Sequence, residues 1–342
     1  MWSNGLGISS RVLAGVKRAD RPACKSRAAV KARTMSDTTL SVVVTVVEGG
    51  EALVRCLDAL SRQENAPPLD VIVPYDDTIA EVGALAGRFP GFRFLSMGAL
   101  IAGPKAPDAY VEHELFDRRR AVGLAAATGE LVGMLEDRGA PREDWARAMV
   151  EVHASMDAAA IGGPVVNVAA DAMSRALFVC DYGRHQPPLE EGDAEYLTDI
   201  NICYRRTALE SVRDLWRERY QETAVNWTLR DRGQRLFLST RPVVLHRRGR
   251  APLSKTLGER FQWGRVFGIQ RGGRWSPPKA WAAAAAALVL PLLLLVRQTR
   301  QLAAKGARPG EIAGALPALM VIIPAWAFGE AIGYLQGAGK AR

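Results

Sequence analysis

Cysteine is scarce in this chain of 342 residues: Cys24, Cys56, Cys180 and Cys203 stand far apart, with no CxxC and no paired Cys/His spacing. That pattern excludes a zinc knuckle and a disulfide framework, and fits a reducing compartment. Glycine-rich phosphate loops are missing too; no GxGxxG and no Walker A stretch occurs, which argues against dinucleotide oxidoreductases and P-loop enzymes. There is no internal repeat. Residues 1–34 lack an apolar run of secretory-signal length and hold 8 Lys/Arg against one acid. Such a segment reads as a transit peptide, a basic tail or a leader ahead of a start at Met35, and it is set apart from the fold. Acids are again nearly absent from 241–308, where 14 Lys/Arg face Glu259 alone.

What is there supports a large core: 48% of residues are hydrophobic and 24% charged. The net charge of +9 points at first to nucleic acid, but residues 35–240 carry 21 Lys/Arg against 32 acids, a balance of −11. A body of that sign repels phosphate backbones, and the basic segments flank the folded domain without forming it. A nucleic-acid partner is therefore not expected.

Leu40–Val47 (LSVVVTVV) is a continuous β-branched run, the mark of a strand buried on both faces, and residues 51–63 follow with helical spacing of apolar positions. A strand at 69–73, a helix at 79–89, a strand at 92–96, a helix at 118–128 closed by Gly129 and a strand at 130–135 continue the alternation. Then come a helix after Pro141 through His153, a short strand in 159–166, helices at 205–216 and 222–233, and a last strand at 235–245. The alternation predicts an α/β fold with a mostly parallel sheet flanked by helices. Residues 180–196 are expected as a long loop over the active site that selects acceptors.

Beyond the basic stretch, Trp281–Val296 and Ile312–Gly329 are uncharged runs of 16 and 18 residues. As helices they measure roughly 24 and 27 Å against about 30 Å of hydrocarbon. Neither has a polar face, so both read as membrane helices, spanning or lying in the interface. The expected division is a basic leader at 1–34, a catalytic domain at 35–250, a basic juxtamembrane segment at 251–280, two hydrophobic helices within 281–335 and a tail at 336–342. The distribution of Lys/Arg favours the main domain on the cytoplasmic side.

Open parallel sheets carry their ligands beyond the carboxyl ends of the strands, so the residues there matter most. Glu48 follows the first strand, Asp76 and Asp77 the second, and Glu136, Asp137 and Arg138 the fourth. Singly, each acid is better explained as a helix cap or a solvated loop residue. Three acidic strand ends together suggest a site for a ribose or base edge and for a divalent cation on a diphosphate.

The stretches LSVVVTVVEGGEALVRCLDALSRQ, DVIVPYDD, RRRAVGLAAATGELVGMLEDRGAP, YLTDINICYRRTALE and ETAVNWTLRDRGQRL, in that order, resemble the catalytic domain of family 2 glycosyltransferases with the GT-A fold, over about 40–250. The resemblance implies inverting transfer of a sugar from a UDP- or GDP-linked donor, with Mg²⁺ or Mn²⁺, to a lipid-linked or glycan acceptor at a membrane, most simply the bacterial inner membrane. It assigns Glu48, Asp76 or Asp77, Arg120, Glu136 and Arg138 to the nucleotide sugar. Asp137 and His246 become metal ligands, although Arg138 stands where the DxD-type motif ends in an acid. Asn201 and Arg205 match the NxxxRR segment of the acceptor pocket, and Gln262 with Trp263 resemble its QxxRW element at altered spacing. Glu222 is the expected base, with Asp199 as the other candidate; many members have Glu-Asp where this chain has Glu222-Thr223. The rival expectation is a binding or assembly module that keeps the fold without the activity.

Overall fold

The computed structural model describes residues 38–100, 109–169, 171–287 and 289–338. Its strands are β1 (Leu40–Thr45), β2 (Leu69–Tyr75), β3 (Arg93–Ser96), β4 (Leu131–Glu136), β5 (Gly139–Pro141), β6 (Ala160–Gly162), β7 (Val165–Asn167), β8 (Gly192–Asp193), β9 (Asn201–Arg205), β10 (Leu236–Leu238) and β11 (Val244–His246). Its α-helices are α1 (Gly50–Ser61), α2 (Ala109–Ala126), α3 (Trp145–Ser155), α4 (Ala172–Tyr182), α5 (Arg206–Glu210), α6 (Glu222–Asp231), α7 (Leu253–Gly272), α8 (Pro277–Ala286), α9 (Leu290–Ala304) and α10 (Pro309–Gly337). The leader at 1–34 lies outside the described residues.

The main sheet has the order β3-β2-β1-β4-β9-β6-β10-β8. β1, β2, β3 and β4 run parallel, β9 runs antiparallel to both β4 and β6, and β10 is parallel to β6. β5, β11 and β7 form a small second sheet. This bears out the expected α/β class, a mostly parallel sheet between helices.

β1 and β4 are buried at every position, as strands covered on both faces must be. On one face Val42 and Val44 meet Leu53 and Leu57 of α1 and Trp145 and Met149 of α3. On the other, Val43 belongs with Leu124 of α2, Trp216, and Val225 and Leu229 of α6. α2 lies against β1 so closely that a Cβ on Gly123 would sit 2.3 Å from Val43 Cγ1. At that contact only glycine fits.

Some elements differ from the sequence pattern. The helix expected at 79–89 is a 3₁₀ winding over Asp77–Gly87 with non-helical backbone at Ile79. The segment 235–245 divides into β10, in the main sheet, and β11, in the small one. Residues 201–205, read only as a motif, form the antiparallel strand β9, and the loop expected from 180 begins as the last turn of α4.

The carboxyl-terminal helices form a third core with α4, in which Leu177, Phe267, Leu294, Leu319, Ile322 and Trp326 meet. α7 and α10 touch backbone to backbone. A Cβ on Gly264 would lie 2.2 Å from the Trp326 carbonyl, one on Gly268 2.3 Å from that of Glu330, and one on Gly333 2.2 Å from that of Arg265. Two rows of glycine four residues apart permit this approach. Glu330 is buried in the contact, accepting from Trp326 Nε1 at 3.1 Å and Tyr334 Oη at 2.6 Å. By length and composition α10 could cross a membrane, whereas the first apolar run is split between α8 and α9, bent by 66°.

Candidate active site

A cavity of about 130 Å³ opens beyond the carboxyl ends of β1 and β4. It is far larger than the roughly 10–15 Å³ a single water needs. Its walls come from the length of the chain: Arg120 from α2, Glu136 and Arg138 from β4 and the turn after it, Asp199 before β9, Glu222 at the start of α6, Trp263 and Phe267 from α7, and Trp326 from α10.

Arg120 is the electrostatic centre. Its guanidinium reaches Glu136 at 2.8 Å, Asp199 at 2.8 Å and Asp117 at 3.3 Å, all at low exposure. One cation shared by three carboxylates leaves negative charge in a desolvated place, and carboxyls there resist ionising. Burial raises Asp117 to about 7 against the pull of Arg120. Glu136 is raised as well, by burial and then by Asp199. Glu222 is raised to about 8 by burial, although its Oε2 accepts the Asp199 backbone N–H at 2.7 Å and Arg120 lowers it. Glu222 is the first residue of α6, where the helix dipole favours a carboxylate. Thr223 beside it donates to Gln270 at 3.1 Å and ties α6 to α7. Protons thus reside on carboxyls near neutral pH, a condition for proton transfer.

The sequence candidates fall into two groups. Arg120, Glu136, Arg138, Asp199, Glu222 and Trp263 line one cavity. Asp76, Asp77, Glu48, Asp137, His246, Asn201, Arg205 and Gln262 are not among its walls. Asn201 is fully buried and structural in its contacts: it accepts from Trp145 Nε1 at 2.9 Å and donates to the carbonyls of Pro164 and Pro242 at 2.9 and 2.8 Å. Arg205 spends its guanidinium on the carbonyls of His153 in the last turn of α3 and of Met156 and Ala158 just beyond it. Gln262 accepts from Arg265 at 3.3 Å. Asp76 is buried against Arg119 at 2.8 Å; burial works to raise its pKa, but Arg119 and Thr78 outweigh it and hold the carboxyl low. Exposed Asp77 accepts the Leu100 N–H at 3.3 Å.

The expected metal centre is not formed by these donors. Asp137 Oδ2 accepts the backbone N–H groups of Val47, Glu48 and Gly49 at 3.1, 2.9 and 2.7 Å, so the side chain pins the turn between β1 and α1. Its Oδ1 is buried without a partner, as are both ring nitrogens of His246. His246 is buried, not a surface histidine; its ring packs on Tyr182 and Phe178, and burial, Arg138 and Arg248 lower its pKa to about 3. Among the described residues no three His, Cys, Asp or Glu side chains converge as a metal requires. Arginine at 138 adds a cation where a third carboxylate would ligate. The donor set does not fit Mg²⁺ or Mn²⁺.

Sequence reasoning missed several walls. Asp117 lies one turn before Arg120 on α2, a spacing that was legible. Asp181 and Tyr182 close α4 and line the cavity, and Asp181 is clasped by both terminal nitrogens of fully buried Arg260. That guanidinium also lies 4.8 Å from the Trp263 ring centre. Trp326 was hidden in an apolar run read as lipid-facing.

No protein-family model matches the chain, and no curated protein matches it. Among solved structures it is similar to the mannosyltransferase PcManGT from Pyrobaculum calidifontis in complex with GDP-Man and Mn²⁺, at 14% identity over 84% of this chain and 85% of that one, with a TM-score of 0.48. It is also similar to TarS 1–349 from S. aureus in complex with UDP-GlcNAc, at 14% identity over 68% of this chain and 66% of that one, with a TM-score of 0.43. The first neighbour is a mannosyltransferase, and both are in complex with a nucleotide sugar.

Proposed function

We propose that this chain is an inverting glycosyltransferase of the family 2 type, taking a sugar from a nucleotide diphosphate donor to a lipid-linked acceptor at the cytoplasmic face of a membrane. One observation carries the reading: Arg120, Glu136, Asp199 and Glu222, from three separate motif stretches, meet in one cavity beyond the strand ends, and burial raises Glu222 to about 8. A carboxyl in that state takes a proton readily once ionised and stands where an acceptor hydroxyl can enter.

In the proposed step the acceptor oxygen attacks the anomeric carbon as Glu222 removes its proton. The bond from that carbon to the diphosphate oxygen breaks, and its electron pair leaves on the nucleoside diphosphate. A single displacement of this kind inverts the anomeric centre. Arg120 holds Asp199 and Glu136 in place, while Trp263, Phe267 and Trp326 offer aromatic faces to the acceptor side.

The lipid-linked acceptor and the membrane rest on α10. This helix turns Trp326 into the cavity and exposes Pro317, Met320, Val321, Pro324, Phe328 and Leu335 along one outward stripe. Trp281, Val289, Leu292, Leu293 and Val296 of α8, α9 and their junction are exposed as well. So large an exposed apolar surface suits acyl chains. Basic Lys279, Arg300 and Arg308, exposed around it, suit anionic headgroups. The test is release of sugar from UDP- and GDP-sugars by the purified full chain with a membrane-lipid extract. Turnover abolished in Glu222→Gln supports the reading, and turnover unchanged in that variant refutes the assignment. A folded protein that binds no nucleotide sugar is the binding or assembly module instead.

A further inference from the structure

Resting on the nucleotide-sugar reading, we infer that the donor's diphosphate is held by Arg138 without a divalent cation, the guanidinium occupying the role that a metal would fill.

The acids that would hold a metal are already committed. Asp137 gives one carboxylate oxygen to three backbone N–H groups. Glu136 is bound to Arg120 at 2.8 Å. Glu48 Oε2 accepts from Arg138 Nε at 3.1 Å and from the Gly249 N–H at 3.0 Å. The buried atoms without a partner, Asp137 Oδ1 and the His246 ring nitrogens, lie within the field of Arg138, and His246 within that of Arg248 too. A dication brought there would meet two fixed positive charges and, among the described residues, no cluster of three His, Cys, Asp or Glu ligands, a poor exchange for its hydration shell.

Arg138 itself is suited to an anion. Its side chain is 12% exposed and lines the cavity. Only Nε is engaged; among the described residues the two terminal nitrogens have no partner. Glu48 therefore aims the guanidinium while leaving free the edge that would grip phosphate oxygens in the two-pronged manner of arginine. The backbone supports this placement. The Arg138 carbonyl accepts the Arg247 N–H at 2.9 Å, which brings the loop after β11, with exposed Arg247 and Arg250, alongside. The result is a positive rim on a pocket whose floor is acidic, so the charged diphosphate rests at the rim and the sugar reaches the carboxyls.

The experiment is titration of the full-length protein with GDP and with UDP, by calorimetry, in EDTA and in Mn²⁺. The expected result is binding of at least one nucleotide with affinities agreeing within about twofold between the two conditions. Arg138→Ala should weaken it at least tenfold in EDTA, and Arg138→Lys should recover part of that loss by restoring the charge. Arg138→Asp, which completes an acidic triplet, should bind only when Mn²⁺ is added. Wild-type binding that needs Mn²⁺, or EDTA affinity untouched by Arg138→Ala, overturns the inference while leaving the nucleotide reading intact. No binding in either condition overturns the nucleotide reading and this inference with it. Thermal melts of each variant separate a lost contact from a lost fold.

Discussion

Exchanging Glu222 for glutamine, and scanning pH on the wild type beside it, interrogates the chemistry most directly. Glu222 is proposed to act ionised, and its pKa is raised to about 8. At pH 7 about one-tenth of such a group is ionised and at pH 9 about nine-tenths, so kcat/KM should climb roughly tenfold across that interval. An ordinary glutamate near 4.3 would give a flat profile there. The sign follows from the role: a base with a raised pKa gains activity as pH rises. Glutamine keeps an oxygen for the Asp199 N–H, which Glu222 holds at 2.7 Å, so the variant should fold. Loss of a positioned base costs typically 10²–10⁴-fold, with no pH rise left. Stability provides a second readout. Between the unfolded and folded pKa values the folded state keeps a proton that the unfolded state has lost, so stability falls with rising pH by up to about 1.4 kcal/mol per unit, and Glu222→Gln should lack this slope. The assay is radiolabelled sugar transfer to extracted lipid, with urea melts at matching pH. A flat wild-type profile from pH 7 to 9, or a variant retaining more than a tenth of the activity, refutes the role given to Glu222. The profile belongs to the coupled carboxyls as a set; the substitution identifies which one matters.

Arg120→Met should destabilise the fold by about 3–5 kcal/mol, because it strands three buried carboxylates; urea denaturation at pH 7 measures it, and the deficit should shrink in acid as those groups protonate. Gly268→Val should prevent the α7–α10 contact, since a Cβ there would lie 2.3 Å from the Glu330 carbonyl; limited proteolysis should then cut within 253–337, and an uncut variant contradicts the packing. The full chain should float with phosphatidylglycerol-containing vesicles, and Met320→Asp with Phe328→Asp, both on the exposed stripe, should leave it in the aqueous fraction; equal flotation of the double variant refutes the lipid-facing assignment.

The core of the sheet was open to a reader of the sequence. A β-branched run such as LSVVVTVV is compatible with little except a strand covered on both faces, and β1 is that strand. The acids after β1, β2 and β4 were legible for the same reason, because strand ends fix where the loops begin. Other readings went astray where local pattern has no power. Residues 201–205 look like a motif and not a strand, because β9 is held by pairing with β4 and β6, far off in sequence. Asn201 and Arg205, assigned to an acceptor, turned to carbonyls that only the folded chain brings near. The apolar stretch around Trp326 has the composition of a lipid-facing helix, and composition records nothing of the glycine rows that dock it on α7.

By itself, then, the sequence determined the α/β alternation, the acidic strand ends and the presence of apolar helices beyond them, since these follow from hydrophobic periodicity and backbone preference over short spans. Only the tertiary structure decided which carboxylates share Arg120, that Asp137 pins a turn while Arg138 keeps its terminal nitrogens free, and that α10 walls the cavity. Those outcomes depend on distances between segments as much as two hundred residues apart, where burial and charge are set by neighbours that no local pattern names.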